Sequence, residues 1–451
     1  MGLATMANRI ARAVVAALLS TPALAQTSPE TLFTNVRVFD GSGAPLTAPT
    51  AVLVRGNTIA AIGASATSKT ATVIDGHGRT LMPGLIDNHV HITMGASSQA
   101  DLVDPRVTPE MLQARGQAEA EAMLLRGFTA VRDMGGPIFA IKATIDSGKS
   151  VGPRIWPSGA MVSQTSGHGD GRLPNERSRR WGGEVSRGEL LGAYYIADGR
   201  AEVLTAVRED LRAGASQIKV MAGGGAASAY DPLDVAQYTF DELRAAVEAA
   251  DDWNTYVTVH AYTPKAVRRA VDAGVKCIEH GQLLDEATVE LLAEKGIWLS
   301  LQVLDPAPPT APESTRAKKL QVVDGTDAAY RWAKQYHVKL AWGTDFLFNV
   351  KQNVNQGKDI TKLAKWFTPP EILKMVTHDN AELLAMSGPR TPYAGKLGVV
   401  ETGALADLIL VDGDPTHDIN LVADPAKTFV VIMKDGKIYK NITTGGVNSA
   451  R

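Results

Sequence analysis

Short apolar runs with the character of β-strands alternate with amphipathic helical segments through most of this chain. In residues 241–250, 264–271, 285–292 and 370–376, apolar side chains recur every three or four positions, which predicts helices. Eight β/α repeats over roughly 300 residues predict a (β/α)8 TIM barrel, in the α/β fold class. The predicted strands begin within residues 81–92 and continue at residues 128–132, 154–156, 217–221, 256–260, 276–280, 298–302 and 339–342.

The two ends of the chain show strand-like runs without such helices between them. Residues 32–39 and 51–54 precede the predicted barrel, and residues 406–411, 428–433 and 437–439 follow it. Each end alone would form a small, marginally stable sheet, so we expect both to join in one β-sandwich domain. The predicted division is residues 26–83 and 389–451 for the two parts of the β-sandwich and residues 84–388 for the barrel.

The first residues have the pattern of a secretory signal peptide. Two arginines precede the apolar run 13–19, and small residues end at Ala25. The apolar run is too short for a permanent membrane span, although an amphipathic N-terminal segment is the alternative. We therefore expect residues 1–25 to be cleaved and the protein to be periplasmic or secreted. The single Cys277 cannot form an intrachain disulfide, which is compatible with that compartment.

Composition changes this picture only by excluding some partners. The chain has 451 residues, of which 45% are hydrophobic, enough for a large catalytic domain and a smaller one. A formal net charge of -2 gives no electrostatic reason to expect nucleic acid or an anionic membrane. A small-molecule substrate is the expectation. The sequence is compatible with a homo-oligomer but does not define one.

Residue types that bind metals fall where a barrel would gather them. His89 and His91 are two positions apart on the first strand, so both point to one face and suit a divalent cation. Two solvated histidines would give the same pattern. In a TIM barrel, catalytic groups collect at the carboxyl ends of the strands. The other candidates lie in or after the fourth, fifth, sixth and eighth strands: Lys219, His260, His280 and Asp345.

Taken singly, each of these residues also has a structural interpretation, such as a hydrogen-bonded core histidine or a helix-capping aspartate. Together they resemble the amidohydrolase superfamily, and the resemblance covers most of residues 30–440. The glycines 223–225, the Ile278-Glu-His-Gly281 segment and the Gly152-Pro-Arg-Ile155 segment are similar to one branch of it. That branch holds imidazolonepropionase-like amidohydrolases, Xaa-Pro and Xaa-Arg/Lys dipeptidases and ochratoxin-hydrolysing amidohydrolases.

This resemblance implies a binuclear site for two divalent metal ions, with zinc as the expected metal. An unmodified ammonium has no lone pair for a cation, but the family lysine carries a carbamate derived from CO2. By resemblance, His89, His91 and Asp345 hold one ion, His260 and His280 hold the other, and carboxylated Lys219 bridges both. Asp345 would also be catalytic, as the group that takes a proton from water and delivers it to the leaving amine.

Three further residues are candidates for substrate or support roles. By resemblance, His168 lies beside the substrate carbonyl or carboxylate, as a catalytic or binding residue, unless it is an ordinary loop histidine. Tyr230 is a candidate donor to a substrate carboxylate, with simple packing as the alternative. Asp87 is expected to orient the ligands rather than to bind metal.

Three further segments are candidates at the site. The apolar residues 346–348 and 303–304 either line a pocket or only pack loops onto the barrel. The insertion from Arg172 to Gly188 is predicted to be a lid or an oligomer contact.

The expected function is hydrolysis of an amide or peptide C–N bond in small substrates. Dipeptides, N-acyl amino acids and the phenylalanine amide of ochratoxin A are the candidate substrates. The closest alternative is a cyclic-amide hydrolase or a deaminase of the same fold, which by resemblance generally lacks Lys219. A non-catalytic binding protein on the same barrel is a third hypothesis.

Overall fold

The computed structural model describes residues 28–228 and 230–443. The predicted signal peptide, residues 1–25, lies outside this range. None of the helices in the described ranges is both long enough and apolar enough to cross a membrane.

Five strands precede the barrel, and the first of them pairs with three others. Its first half pairs with β2 and β4, and Arg37 and Val38 pair with β5. The change of partner falls at Asn35, which has a φ of 50° and bends the strand. One strand thereby joins two parts of the sheet. The five strands are β1 (Glu30–Val38), β2 (Thr50–Arg55), β3 (Thr58–Ile62), β4 (Thr72–Asp75) and β5 (Thr80–Pro83).

Parallel strands form the barrel, and the eight predicted strands are all present. They are β6 (Leu85–Val90), β7 (Phe128–Asp133), β8 (Arg154–Pro157), β11 (Ile218–Met221), β12 (Val257–Ala261), β13 (Cys277–His280), β14 (Trp298–Leu301) and β15 (Leu340–Trp342). Two short strands were not predicted, β9 (Met161–Ser163) and β10 (Tyr194–Ile196). β8 pairs with β7, whereas β9 pairs with β11 and β10, so the third barrel strand is split. Gly159, with a φ of 82°, lies at the split.

Helices surround the barrel, short helices occupy its loops, and one short helix lies between the last strands of the β-sandwich domain. They are α1 (Ile92–Gly95), α2 (Pro109–Leu125), α3 (Phe139–Asp146), α4 (Arg187–Leu190), α5 (Gly199–Ala213), α6 (Phe240–Asp251), α7 (Pro264–Ala273), α8 (Glu286–Glu294), α9 (Glu313–Gln335), α10 (Gln356–Thr361), α11 (Pro369–Lys374), α12 (Asn380–Ala385) and α13 (Pro425–Thr428). A π-helical turn, Met375–Asp379, joins α11 to α12. The four predicted helices correspond to α6, α7, α8 and α11.

The last strands return to the N-terminal sheet, as expected for one β-sandwich built from both ends. They are β16 (Leu408–Val411), β17 (Phe429–Lys434) and β18 (Lys437–Asn441), and β16 lies antiparallel between β5 and β17. Their shared core includes Phe33, Val52, Leu81 and Val431. Arg154, at the start of β8, forms a buried ion pair with Asp407 and a second ion pair with the half-exposed Asp435 of this domain. The β-sandwich therefore contacts the amino ends of the strands, away from the predicted site.

Candidate active site

Four predicted ligand residues, three histidines and one aspartate, meet at the carboxyl ends of barrel strands. The Nε2 atoms of His89 and His91 each lie 3.3 Å from Oδ1 of Asp345. His280 places its Nε2 atom 4.0 Å from Oδ2 of the same carboxylate. All three imidazoles are buried. Ligand-type nitrogens from two strands therefore surround one carboxylate.

The backbone brings Asp345 to this position by pressing the eighth strand segment against the first. The amide N–H of Asp345 donates to the carbonyl oxygen of His89 at 2.8 Å. Gly343 lies so close to His89 that a Cβ atom would overlap its backbone, which explains the glycine. Asp345 has a φ of 53°, in the left-handed region, and thus turns the chain away from β15.

Hydrogen bonds on the outer nitrogens orient both histidines of the first strand. Nδ1 of His89 lies 2.9 Å from Oε2 of Glu279, and Nδ1 of His91 lies 3.1 Å from the carbonyl oxygen of Gly135. An ionised carboxylate and a carbonyl only accept, so each Nδ1 donates, and in the neutral tautomer this leaves the lone pair of Nε2 on the side of Asp345. Burial lowers the pKa of His89 to about 4, which keeps this ring neutral.

Glu279 is a buried site residue that the sequence analysis missed. Its Oε1 atom accepts from Nη2 of Arg132 at 2.6 Å and from the hydroxyl of Thr258. Burial opposes its ionisation, but Arg132 and His89 hold the pKa of Glu279 well below its ordinary value. In a regular strand Glu279 and His280 would face opposite sides; the φ of 80° at His280 lets both approach the centre.

His260 and His280 form the second pair of imidazoles. Their ring centroids are 4.4 Å apart, and both rings are buried. Nε2 of His260 donates to the carbonyl oxygen of Gly224 at 3.0 Å, which leaves its Nδ1 lone pair available. Among the described residues, Nδ1 of His280 has no hydrogen-bond partner. No hydrogen bond therefore fixes which nitrogen of His280 faces the centre.

Lys219 lies between these two groups of histidines. Its side chain is buried, and Nζ is 3.3 Å from Nε2 of His89. No carboxylate in the described part of the chain is within ion-pair distance of it. Burial lowers the pKa of Lys219, against the attraction of Glu279 and Asp345. The amine is thus shifted towards its neutral, nucleophilic form.

His168 stacks on the second histidine pair from the side of the loops. Its ring lies 4.1 Å from the ring of His260, and its Nδ1 atom is 3.1 Å from Oδ2 of Asp231. Asp231 is buried and also accepts from the N–H of Gly225. Because the His168 ring packs against Gly225, a side chain at that position would collide with it. Asp231, which the sequence analysis missed, therefore orients His168.

Asp87 contacts backbone rather than the predicted ligands' side chains. Its carboxylate accepts from the N–H of His89 and from the N–H and hydroxyl of Thr344. Gln356 donates to it as well, at 2.9 Å. Burial raises the pKa of Asp87 to about 6. This carboxylate joins the first and eighth strand ends directly behind the cluster.

The remaining candidates lie at the edge of the site. Tyr230 is 59% exposed, on the loop that carries Asp231. Leu347 and Phe348 pack against the cluster that contains Met94 and Met161, and Leu304 packs near Tyr262. The insertion 172–188 contains a short 3-10 helix, Arg179–Trp181, whose Trp181 side chain is 79% exposed.

The residues present fit a metal centre. Neutral imidazole lone pairs converge with an aspartate, and His89 and His91 keep their donors pointed outward, as metal-binding histidines do. Burial favours the uncharged form of Asp345, but the surrounding histidines hold its pKa below the ordinary value. The ammonium form of Lys219 is the one group that opposes a cation.

Comparison with known proteins identifies the family of the chain. Residues 80–447 match the family model described as the amidohydrolase family. An ochratoxinase of Aspergillus niger is 33% identical over 386 residues, covering 80% of this chain and 75% of that protein.

Two solved structures extend the comparison. A prolidase complexed with N-methylphosphonate-L-proline is 34% identical, with a TM-score of 0.82, over 91% of this chain and 100% of that one. A Xaa-Pro dipeptidase with bound methionine in the active site is 29% identical, with a TM-score of 0.78, over the same shares of the two chains. The chain therefore belongs to the amidohydrolase family.

Proposed function

We propose that this amidohydrolase uses two divalent metal ions to cleave the C–N bond of an amide or peptide in small substrates. Dipeptides, N-acyl amino acids and the phenylalanine amide of ochratoxin A are the proposed substrates. The observation that carries the proposal is the position of buried Lys219, 3.3 Å from Nε2 of His89 and without a carboxylate partner among the described residues. A buried ammonium at that position would repel a metal ion, whereas a lysine converted into an anionic ligand would bind it.

In this proposal Lys219 becomes a ligand by carboxylation. The neutral amine attacks the carbon of CO2: an N–C bond forms, the π electron pair of one C=O bond moves onto its oxygen, and the nitrogen releases a proton to solvent. The product carries a negative charge and two oxygen donors. His89, His91 and Asp345 would hold one ion and His260 and His280 the other, with Lys219 shared. The imidazole and carboxylate donors favour zinc.

Bound metal ions would lower the pKa of water and polarise the scissile carbonyl. The protein supplies the proton transfers. Asp345 is held as an anion by the surrounding imidazoles, so it can accept a proton from the attacking water and donate it to the leaving nitrogen. His168, fixed through Nδ1 by Asp231, would present Nε2 to the substrate as a hydrogen-bonding group.

The relatives support the substrate class. The names of the similar proteins refer to ochratoxin, to Xaa-Pro dipeptides and to a proline phosphonate. The Xaa-Pro dipeptide and the proline phosphonate each carry a substituent on the nitrogen of an amino acid, as the proposed substrates do. The apolar side chains of Leu347 and Phe348, after Asp345, are compatible with a bulky amino acid.

A substrate panel tests the proposal. Metal-replete protein would be assayed with dipeptides, N-acetyl amino acids and ochratoxin A, alongside a cyclic amide and an aminopurine. We expect release of an amino acid from at least one compound of the first group. Hydrolysis of the cyclic amide or deamination of the purine instead, with one metal per chain, would favour the alternative function.

A further inference from the structure

Helix α9 forms part of the wall beside the cluster of predicted ligands. Val322 of this helix is buried and packs in one cluster with Tyr262. The ring of Tyr262 in turn stacks on His280, with the centroids 5.1 Å apart. Lys318 donates to the carbonyl oxygens of Ser228 and Asp231, at 2.6 and 3.1 Å. The first turns of α9 are thus attached to the loop that orients His168.

Lys319 lies on the same face of α9 as Val322, one turn closer to the start of the helix. Its side chain is partly buried. Within the described residues its ammonium has neither an ion-pair nor a hydrogen-bond partner. The neighbouring cations differ, since Lys318 contacts two carbonyls and Lys362 pairs with Asp305 and Asp359.

Asp345 and Asp305 are among the carboxylates whose charge acts on Lys319. Burial lowers the pKa of Lys319, while Asp345 and Asp305 attract its ammonium. A partly buried cation without a partner costs free energy unless a ligand completes it. A lysine is a flexible point charge, which suits a carboxylate or another small anion.

We propose that Lys319 binds the free carboxylate of the substrate and thereby selects amides whose leaving group is an amino acid. The inference rests on the proposed function and narrows it: a carboxylate beside the scissile nitrogen becomes a requirement for efficient cleavage. Lys319 is positioned by helix α9. The same helix packs through Val322 on Tyr262, and Tyr262 stacks on His280. Simple amides, esters without a carboxylate and cyclic amides would lack this contact.

The test compares Lys319→Met, Lys319→Arg and Lys351→Met. Lys351 is exposed and follows the same eighth strand as Asp345, so its replacement removes one positive charge without altering the partly buried position. Each variant is assayed with the carboxylate substrate that the wild type cleaves best in the panel. It is assayed in parallel with the same compound carrying a primary amide in place of the carboxylate.

We expect Lys319→Met to raise KM for the carboxylate substrate about ten- to a hundredfold, as for loss of a charge-assisted hydrogen bond. The amide analogue should change less than twofold, Lys319→Arg should recover most of the selectivity, and Lys351→Met should resemble the wild type. Equal losses on both compounds, or no loss, would overturn the inference while the proposed function stands. Absence of turnover on every amide of the panel would overturn both.

Discussion

The histidines of the first strand and the groups on the loops are held in different ways. His89 and His91 are buried, and each has its Nδ1 fixed by a buried acceptor, Glu279 or the carbonyl of Gly135. His168 is instead oriented by a loop carboxylate, Asp231, and Tyr230 beside it is 59% exposed. The first region has the fixed geometry that a metal centre requires. The second lies on a loop with an exposed side, where a substrate can approach.

The largest effect should come from Asp345, which contacts both histidines of the first region. Asp345→Asn keeps the shape but cannot take a proton from water, so kcat should fall about 10³- to 10⁴-fold. Much of the metal should remain, since the imidazoles are unchanged. Kinetics and metal analysis of the same preparation measure both effects. Asp324→Asn, an exposed change on α9, is the control; activity close to the wild type in Asp345→Asn would exclude its proposed role.

Replacement of Glu279 tests whether the buried region is as rigid as its contacts indicate. Glu279→Gln leaves Arg132 buried without its charge partner and weakens the acceptor for His89. The free energy of unfolding should fall by about 3 kcal/mol, and metal affinity about ten- to a hundredfold. Denaturant titration measures the free energy of unfolding, and competition with a chelator measures the metal affinity. Unchanged values, equal to those of the exposed control Glu290→Gln, would show that the network does not orient the ligand.

A smaller effect is expected on the loop side. Asp231→Asn replaces the charged acceptor of Nδ1 of His168 by a neutral amide and leaves the hydroxyl of Ser228, 2.9 Å from the same nitrogen, in place. We expect kcat/KM to fall up to about tenfold, because a charge-assisted hydrogen bond is worth roughly 1 kcal/mol more than a neutral one. Metal content should not change, since His168 is not a proposed ligand. Asp234→Asn, exposed on the same loop, serves as the control. Loss of metal in Asp231→Asn would mean that the two regions are not separate.

The regularity of the barrel is what made much of the fold predictable. Apolar strands at regular intervals have few compatible arrangements, and their carboxyl ends meet at one face. His89, His91, Lys219, His280 and Asp345 could therefore be expected near one another before any coordinates were available. The split of the third strand at Gly159 could not be predicted from the sequence, because it depends on which strands β8 and β9 pair with.

The supporting residues were missed for a related reason. Glu279 adjoins His280, and strand alternation assigns adjacent residues to opposite faces; only the left-handed φ of His280 changes that. Asp231 is 63 residues from His168 in the chain, so their hydrogen bond depends on loop conformation. Lys319 is on a helix whose inward face is defined by packing on Tyr262. No local sequence pattern predicts these tertiary contacts.

The most direct test of the central claim is the number of metal ions per chain with and without Lys219. Wild-type protein and Lys219→Met would be loaded with zinc in the presence of bicarbonate, freed of excess metal and analysed for zinc and protein. The proposal predicts two ions per chain in the wild type and at most one in Lys219→Met, with loss of activity. One ion in the wild type, or two in both proteins, would contradict a binuclear site that depends on carboxylated Lys219.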